Sequence, residues 1–236
     1  MPIILKYLKL IRVGNCLLAA ASVMVGAYLT WISPFYTGPI LAALAAFLVC
    51  AAGNIMNDVL DIKIDRINRP NRILVNGEIS REKAVRLAQV LSVLALAISL
   101  FVNIWVFIAV LSALVLVGLY NFRTKRTPVL GNLNVALLSG LTFITGGLAV
   151  DVLLTFTLPG PLIPAFFALL FHLSREIIKD VEDIEGDRAF GIKTLPQILG
   201  VSRSLLVALG LFFVLSLASF IPVFKGGLGR TYEIKA

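Results

Sequence analysis

Long apolar stretches alternate along this chain with short, densely charged ones. The apolar runs cover about residues 13–32, 39–57, 84–102, 104–121, 130–150, 161–178 and 203–222. Each approaches the roughly 20 residues that carry a helix across a bilayer core. One boundary needs an argument: residues 90–119 hold no charge at all. As a single helix they would extend about 45 Å, against a hydrocarbon thickness of about 30 Å. Both flanks, Arg86 and Arg123, are basic, and basic loops stay cytoplasmic. The run therefore folds back near Asn103 into two spans. The pattern predicts an all-α, polytopic transmembrane helical bundle of about seven spans, forming a single domain over residues 1–236.

Composition agrees. The 236 residues are 59% hydrophobic and only 14% charged, where soluble domains carry about 25% charged residues. No room is left for a separate soluble domain. The N-terminus superficially resembles a signal peptide, but its apolar stretch runs on to Ile32, past a normal h-region, and reads as a retained first span. Cys16 and Cys50 sit in apolar runs without metal-type spacing and read as reduced packing residues. Eighteen of the 21 basic residues fall before the first run, between or flanking the second and third, after the fourth, or between or flanking the sixth and seventh. The intervening loops, near 33–38, 102–103 and 151–160, contain none, so the N-terminus and the charged loops are expected on the cytoplasmic side. Lys225, Arg230 and Lys235 break the rule; either the bias is weak there or further spans follow.

Eleven of the thirteen acidic residues lie in two segments on that same side. One, with Asp58, Asp61, Asp65, Glu78 and Glu82, includes NDVLDIKIDRINRPNR from Asn57; the other, with Glu176, Asp180, Glu182, Asp183, Glu185 and Asp187, includes KDVEDIEGDRAFGIKTLP from Lys179. Offset by 122 positions, Asp58, Val59, Asp61, Ile62, Asp65 and Arg66 match Asp180, Val181, Asp183, Ile184, Asp187 and Arg188, which points to an internal repeat. At 100° per residue, Asn54, Asn57, Asp58, Asp61 and Asp65 fall within an arc of about 100°, and Asp180, Asp183 and Asp187 within about 60°. Glu182 and Glu185 point elsewhere. Each segment thus offers one acidic face at the inner end of a span.

Facing carboxylates repel. One pair at 6 Å and an effective dielectric near 20 costs about 3 kcal/mol, so six of them require counter-cations. Arginine and lysine supply some; Mg2+ suits better, as a hard ion that takes one or two carboxylates and shares substrate phosphates. A lone DxxDxxxD is most simply a solvated loop, but two copies on helix faces are not. The run RINRPNR reads equally as positive-inside anchoring or as a phosphate grip, for which guanidinium is well suited.

These paired motifs, NDxxDxxxD and DxxDxxGD, resemble those of the UbiA superfamily of intramembrane prenyltransferases. LYNFRTKRTPVLGN, similar to the family's Y-x(4)-K-R…LGN loop, and Arg12-x-x-Asn15 add to the likeness, which covers residues 8 to about 222. Within the superfamily the motifs are most like those of archaeal digeranylgeranylglyceryl phosphate synthases. The chain departs from common family patterns at Val13, where many members carry Pro, and at Arg175, where many carry Tyr. The family usually has nine spans around a central cavity; against seven here, that implies a C-terminal part outside this chain.

The resemblance implies Mg-dependent transfer of a prenyl group, most simply geranylgeranyl, from an allylic diphosphate to a lipophilic acceptor such as geranylgeranylglyceryl phosphate, in membrane ether-lipid synthesis. Two Mg2+ ions would neutralise the leaving diphosphate. On helix geometry Asn57, Asp61 and Asp65 best hold one ion and Asp183 and Asp187 the other, with Asp58 and Asp180 as direct or water-mediated ligands. Arg66, Arg72, Lys125, Arg126 and Lys179 are candidates for the diphosphate. Tyr120 offers its ring face to an allylic cation or serves as an interfacial anchor. Asn15, inside an apolar span, orients the acceptor or bonds a neighbouring helix; Asn54 is a further cavity candidate. His172, the sole histidine, lies on an apolar stretch and reads as structural. An aromatic acceptor of the quinone or haem type stays open. A divalent-cation transporter is the main reading from another class, although it would put charges near the bilayer midplane rather than at one edge. Expected partners are membrane lipids and the two substrates, not nucleic acid; the oligomeric state is unreadable.

Overall fold

The computed structural model of the protein describes residues 2–30 and 37–224, without the side chains of residues 126 and 221–224. The C-terminal cations Lys225, Arg230 and Lys235 and most of the 33–38 loop lie outside the described residues. In chain order the helices are α1 (Ile3–Ile11), α2 (Val13–Leu29), α3 (Thr37–Asn68), α4 (Arg81–Leu100), α5 (Ile104–Phe122), α6 (Leu130–Leu148), α7 (Val152–Thr155), α8 (Leu162–Glu182), α9 (Ile184–Ala189), α10 (Leu195–Leu199) and α11 (Val201–Phe224), with a 3-10 turn at Thr124–Arg126 before α6. No strand occurs among the described residues. The protein is all-α, a bundle of membrane-spanning helices.

Seven long helices follow the seven apolar runs. By length and hydropathy alone, however, four of them qualify as spans (α3, α4, α5 and α11), and α1 with α2 counts as a fifth if the bent pair is taken as one. The reason is burial. α6 carries Asn132, Asn134, Thr145 and several glycines, which face protein rather than lipid. α8 ends in the charged second motif. A helix shielded by its neighbours need not be apolar all round.

The fold-back near Asn103 is present. Asn103 caps α5 by accepting the Val106 amide at 2.9 Å, and its Nδ2 donates to the Leu148 carbonyl at 2.9 Å. The turn is thereby tied to the end of α6. α2 packs on α3 and α3 on α4; α6 packs on α8 and α8 on α11; α2 and α6 meet between these two sets. Glycine sets their approach. A Cβ on Gly146 would lie 1.9 Å from the Val23 carbonyl oxygen, and one on Gly26 would lie 2.0 Å from that of Phe143. Small residues allow such backbone contact in a membrane, where packing rather than the hydrophobic effect joins helices.

Two features bring charged groups to one end of the bundle. With 32 residues, α3 is about 48 Å long, so its last turns run beyond a hydrocarbon core of about 30 Å. The helix expected to leave the membrane at residue 57 continues unbroken through the first acidic motif to Asn68. Second, α1 meets α2 at 54° through Arg12, whose left-handed backbone (φ 53°) ends one helix and begins the next. Asn54 holds this bend: its Nδ2 donates to the Ile11 carbonyl at 2.9 Å and reaches the sulfurs of Cys16 and Cys50. Both cysteines are free thiols. A buried cluster of Leu10, Ile55, Val59, Ile73, Leu74, Ile79, Ala84 and Ala88 then fastens α1 and the 69–80 loop against α3 and α4.

Gly146→Ala should lower stability by about 1–3 kcal/mol or more, the range for overpacking a filled contact. Gly118→Ala, which meets nothing within 4 Å, should be neutral or stabilising. Thermal unfolding in detergent checks both.

Candidate active site

The end of α3, the end of α8 with α9, and the segment after α5 close around one polar pocket. From α3 come Asn57, Asp61 and Asp65; from α8 come Glu176, Lys179 and Asp180. Asp183 and Asp187 face in from the α8–α9 junction. Arg12, Asn68, Arg69, Arg72, Tyr120, Lys125 and Asn132 complete the lining. The two acidic motifs, 122 positions apart, therefore share one hollow. Their outward residues match as well: Arg66 and Arg188 are both exposed, as are Glu182 and Glu185.

The second motif is not one continuous helix. α8 stops at Glu182, Asp183 caps it, and α9 begins at Ile184. The Asp183 amide still donates to the Lys179 carbonyl (2.9 Å) and the Asp187 amide to that of Asp183 (3.0 Å). The four-residue repeat therefore survives the break and keeps the aspartates on the same side. Gly186 lets α9 lie against α3: a Cβ there would fall 2.1 Å from Asn68 Oδ1, and Asn68 Nδ2 donates to the Asp183 carbonyl at 3.5 Å.

Side-chain cations hold these carboxylates. Arg72 Nη1 donates to Asp58 at 2.7 Å and to Asp65 at 2.5 Å. Arg12 donates to the same oxygen of Asp58. Arg69 Nη2 donates to both carboxyl oxygens of Asp183, at 3.0 and 3.2 Å. Lys125 donates to Asp61 and, at 3.0 Å, to Asn57 Oδ1. Its ammonium also stands 5.9 Å from the Tyr120 ring centroid, so the face of that ring already meets a cation. Glu176 accepts from Arg175 (2.7 Å) and Lys179 (2.8 Å), and Asp180 accepts from Asn132 Nδ2 at 2.8 Å. Asp187 has no such partner among the described residues. Burial, then the neighbouring Asp183 and Asp180 carboxylates, push its carboxyl up to about 7, with Lys125 opposing.

The pocket lining carries six carboxylates and five cations. Among the described residues no group of three or more His, Cys, Asp or Glu side chains is arranged to hold a metal ion; arginine and lysine heads bridge the carboxylates instead. The donors are nevertheless all hard oxygens from Asp and Asn, the set that Mg2+ prefers, and Asp187 lacks a cation. The residues fit a divalent ion.

Some expected site residues fall elsewhere. Arg66 is exposed and turned from the pocket, and Arg69, one turn on, occupies the place expected for it. Asp58 is buried and bound by Arg12 and Arg72 rather than lining the hollow. Asn54 braces the α1–α2 bend, and Asn15 is exposed on α2, outside the pocket. The side chain of Arg126 lies outside the described residues. Arg69 belongs to the RINRPNR run that reads as a phosphate grip, though it is not among the ranked diphosphate candidates; Arg12, Asn68, Asn132 and Glu176 have no assigned role in the sequence reading. Arg12 and Asn132 do stand in the two weaker motifs, Arg12-x-x-Asn15 and the LGN loop. Arg69 is four residues from Asp65, but nothing in the sequence separates it from its neighbouring arginines.

The sequence profile of the UbiA prenyltransferase family matches residues 16–233. The chain belongs to the UbiA prenyltransferase family. It is a prenyltransferase by that membership. The chain is 40% identical over 228 residues to the digeranylgeranylglyceryl phosphate synthase of Thermococcus kodakarensis, covering 96% of this chain and 80% of the relative. A solved structure reported for digeranylgeranylglyceryl phosphate synthase in membranes is 34% identical, with a TM-score of 0.75, covering 98% of this chain and 81% of that one. A UbiA homologue from Archaeoglobus fulgidus, solved bound to DMAPP and Mg2+, is 22% identical with a TM-score of 0.72 over 93% of this chain and 78% of that one; it shares the UbiA fold.

Arg72→Met should destabilise the protein by about 3–5 kcal/mol, because it leaves buried Asp65 without its cation and Asp58 with Arg12 alone. Arg66→Ala should leave unfolding unchanged. Denaturation of the two purified variants distinguishes the clamp from the solvated arginine.

Proposed function

We propose that this UbiA-family enzyme transfers a geranylgeranyl group from its diphosphate to the free hydroxyl of geranylgeranylglyceryl phosphate, a step of membrane ether-lipid synthesis. The observation that carries the reading is the convergence of both aspartate motifs on a single polar pocket at one end of an apolar bundle. The synthase from Thermococcus kodakarensis supports the choice of acceptor, and the DMAPP and Mg2+ held by the Archaeoglobus homologue support the donor class and the metal. Residues 1–236 act as one domain, with the N-terminus and charged loops facing the cytoplasm, in line with the distribution of basic residues.

Asn57, Asp61, Asp65, Asp183 and Asp187 would hold two divalent ions, with Asp180 and Asp58 in support. When bound, these ions supply Lewis-acid neutralisation of the departing diphosphate. The pocket is close to neutral on its own, so it needs that added positive charge to admit a diphosphate. Lys125, Arg69, Arg72 and Arg12 already bond to carboxyl oxygens of this set, while Lys179 stays on Glu176. Where ions take over those oxygens, the same donors are free to grip phosphate oxygens. Tyr120 then presents its ring to the positive charge that develops on the allyl group. The apolar helices around it exclude water, which would otherwise quench the cation.

Asp61→Ala and Asp183→Ala should each abolish diphosphate release from geranylgeranyl diphosphate, whereas Glu182→Ala and Glu185→Ala should retain near-parent rates. Full turnover by either aspartate variant would refute the metal assignment. Chelation with EDTA should stop the reaction and added Mg2+ restore it, measured by mass spectrometry of the lipid product.

A further inference from the structure

His172 is placed where the structural reading does not account for it. Its Nδ1 is fully enclosed and has no hydrogen-bond partner among the described residues. A buried ring nitrogen without a partner costs free energy. Among the described residues the ring meets Phe171 edge-on, 5.5 Å between centroids at 81°. Phe171 in turn meets Phe212 of α11, which fixes this turn of α8 without bonding the imidazole.

Its position on α8 is informative. At 100° per residue His172 lies about 40° from Glu176 and about 20° from Lys179 on the helix circumference. Both of those residues line the polar pocket. His172 thus shares the helix face of these two residues, one turn deeper toward the apolar interior than the pocket lining reaches. The charges that act on it, Arg175, Glu176 and Lys179, all come from α8 itself. Of the other helices packed against α8, α6 and α10 carry no titratable side chain and α11 has only Arg203, in its first turn.

Ether formation from an alcohol releases a proton, and no residue so far described accepts it. The pocket aspartates are committed to ions and Glu176 to two cations. We propose that His172 is the general base, its Nδ1 accepting the proton of the acceptor hydroxyl. This rests on the reading above, that the acceptor is an alcohol. The acceptor oxygen forms the new C–O bond to C1 of the allyl group. The C1–O bond to diphosphate breaks and diphosphate leaves with its electron pair. The hydroxyl proton passes to Nδ1, giving imidazolium. Glu176, one turn nearer the charged end, offsets that charge until the proton returns to solvent through the pocket mouth.

The test compares the parent protein with His172→Gln and His172→Ala, using geranylgeranyl diphosphate, Mg2+ and geranylgeranylglyceryl phosphate. If the parent makes no ether product, the proposed acceptor is wrong and with it the base. Given parent activity, both variants should lose at least about a hundred-fold in kcat, with KM for the diphosphate within about threefold. Added imidazoles should restore the Ala variant at rates that rise with the basicity of the imidazole. Parent-like kcat in either variant, a loss confined to KM, or rescue independent of basicity would each overturn the assignment. Should the Ala variant not fold, the Gln variant, which keeps the side-chain volume, decides by its kcat alone.

Discussion

Carboxylates that face one another away from bulk water must share cations, and this requirement ties together every element at the charged end of the bundle. At about 3 kcal/mol for one repelling pair, the two acidic faces would not remain together unaided. Arg72 joins two aspartates of α3, Arg12 reaches from the α1–α2 bend, Arg69 crosses from the loop after α3 to the second motif, and Lys125 arrives from the segment after α5. Each clamp links separate stretches of chain. The contacts that hold the pocket together are therefore the same ones that would have to be exchanged when a diphosphate and its metal ions bind.

The scaffold meets this demand with rigid parts. α3 carries its aspartates past the membrane on uninterrupted helix, and the apolar side chains of Ile73, Leu74 and Ile79 pin the loop that bears Arg69 and Arg72. In the membrane, α2 and α6 approach through glycines, so the two halves of the bundle are joined by backbone contact. The proposed chemistry needs both properties: fixed charges at the mouth, and a dry interior beneath them.

Much of this could be read from the chain. Hydrophobic runs located all seven long helices, basic flanks located the fold-back at Asn103, and the 122-residue offset paired Asp61 with Asp183 and Asp65 with Asp187. Helix periodicity also turned Glu182 and Glu185 outward. The failures have physical causes. Hydropathy cannot register that α6 is buried by its neighbours, so Asn132 and Asn134 look out of place in a span. Periodicity assumes an unbroken helix, and α8 breaks at Asp183. Among clustered arginines, charge alone does not tell Arg66 from Arg69; only the turn that ends α3 decides which one faces in. For His172 the sequence shows only apolar surroundings; that its Nδ1 lacks a hydrogen-bond partner is visible only in three dimensions.

Gly186 gives this arrangement a particular vulnerability. The Asn68 amide rests against its bare α-carbon and bonds the Asp183 carbonyl. A methyl group there would act as a wedge, pushing that amide aside, freeing the carbonyl and letting the second aspartate set swing away from the first. The spacing between the two acidic faces is thus calibrated by the absence of one carbon atom at a residue that carries no side chain of its own.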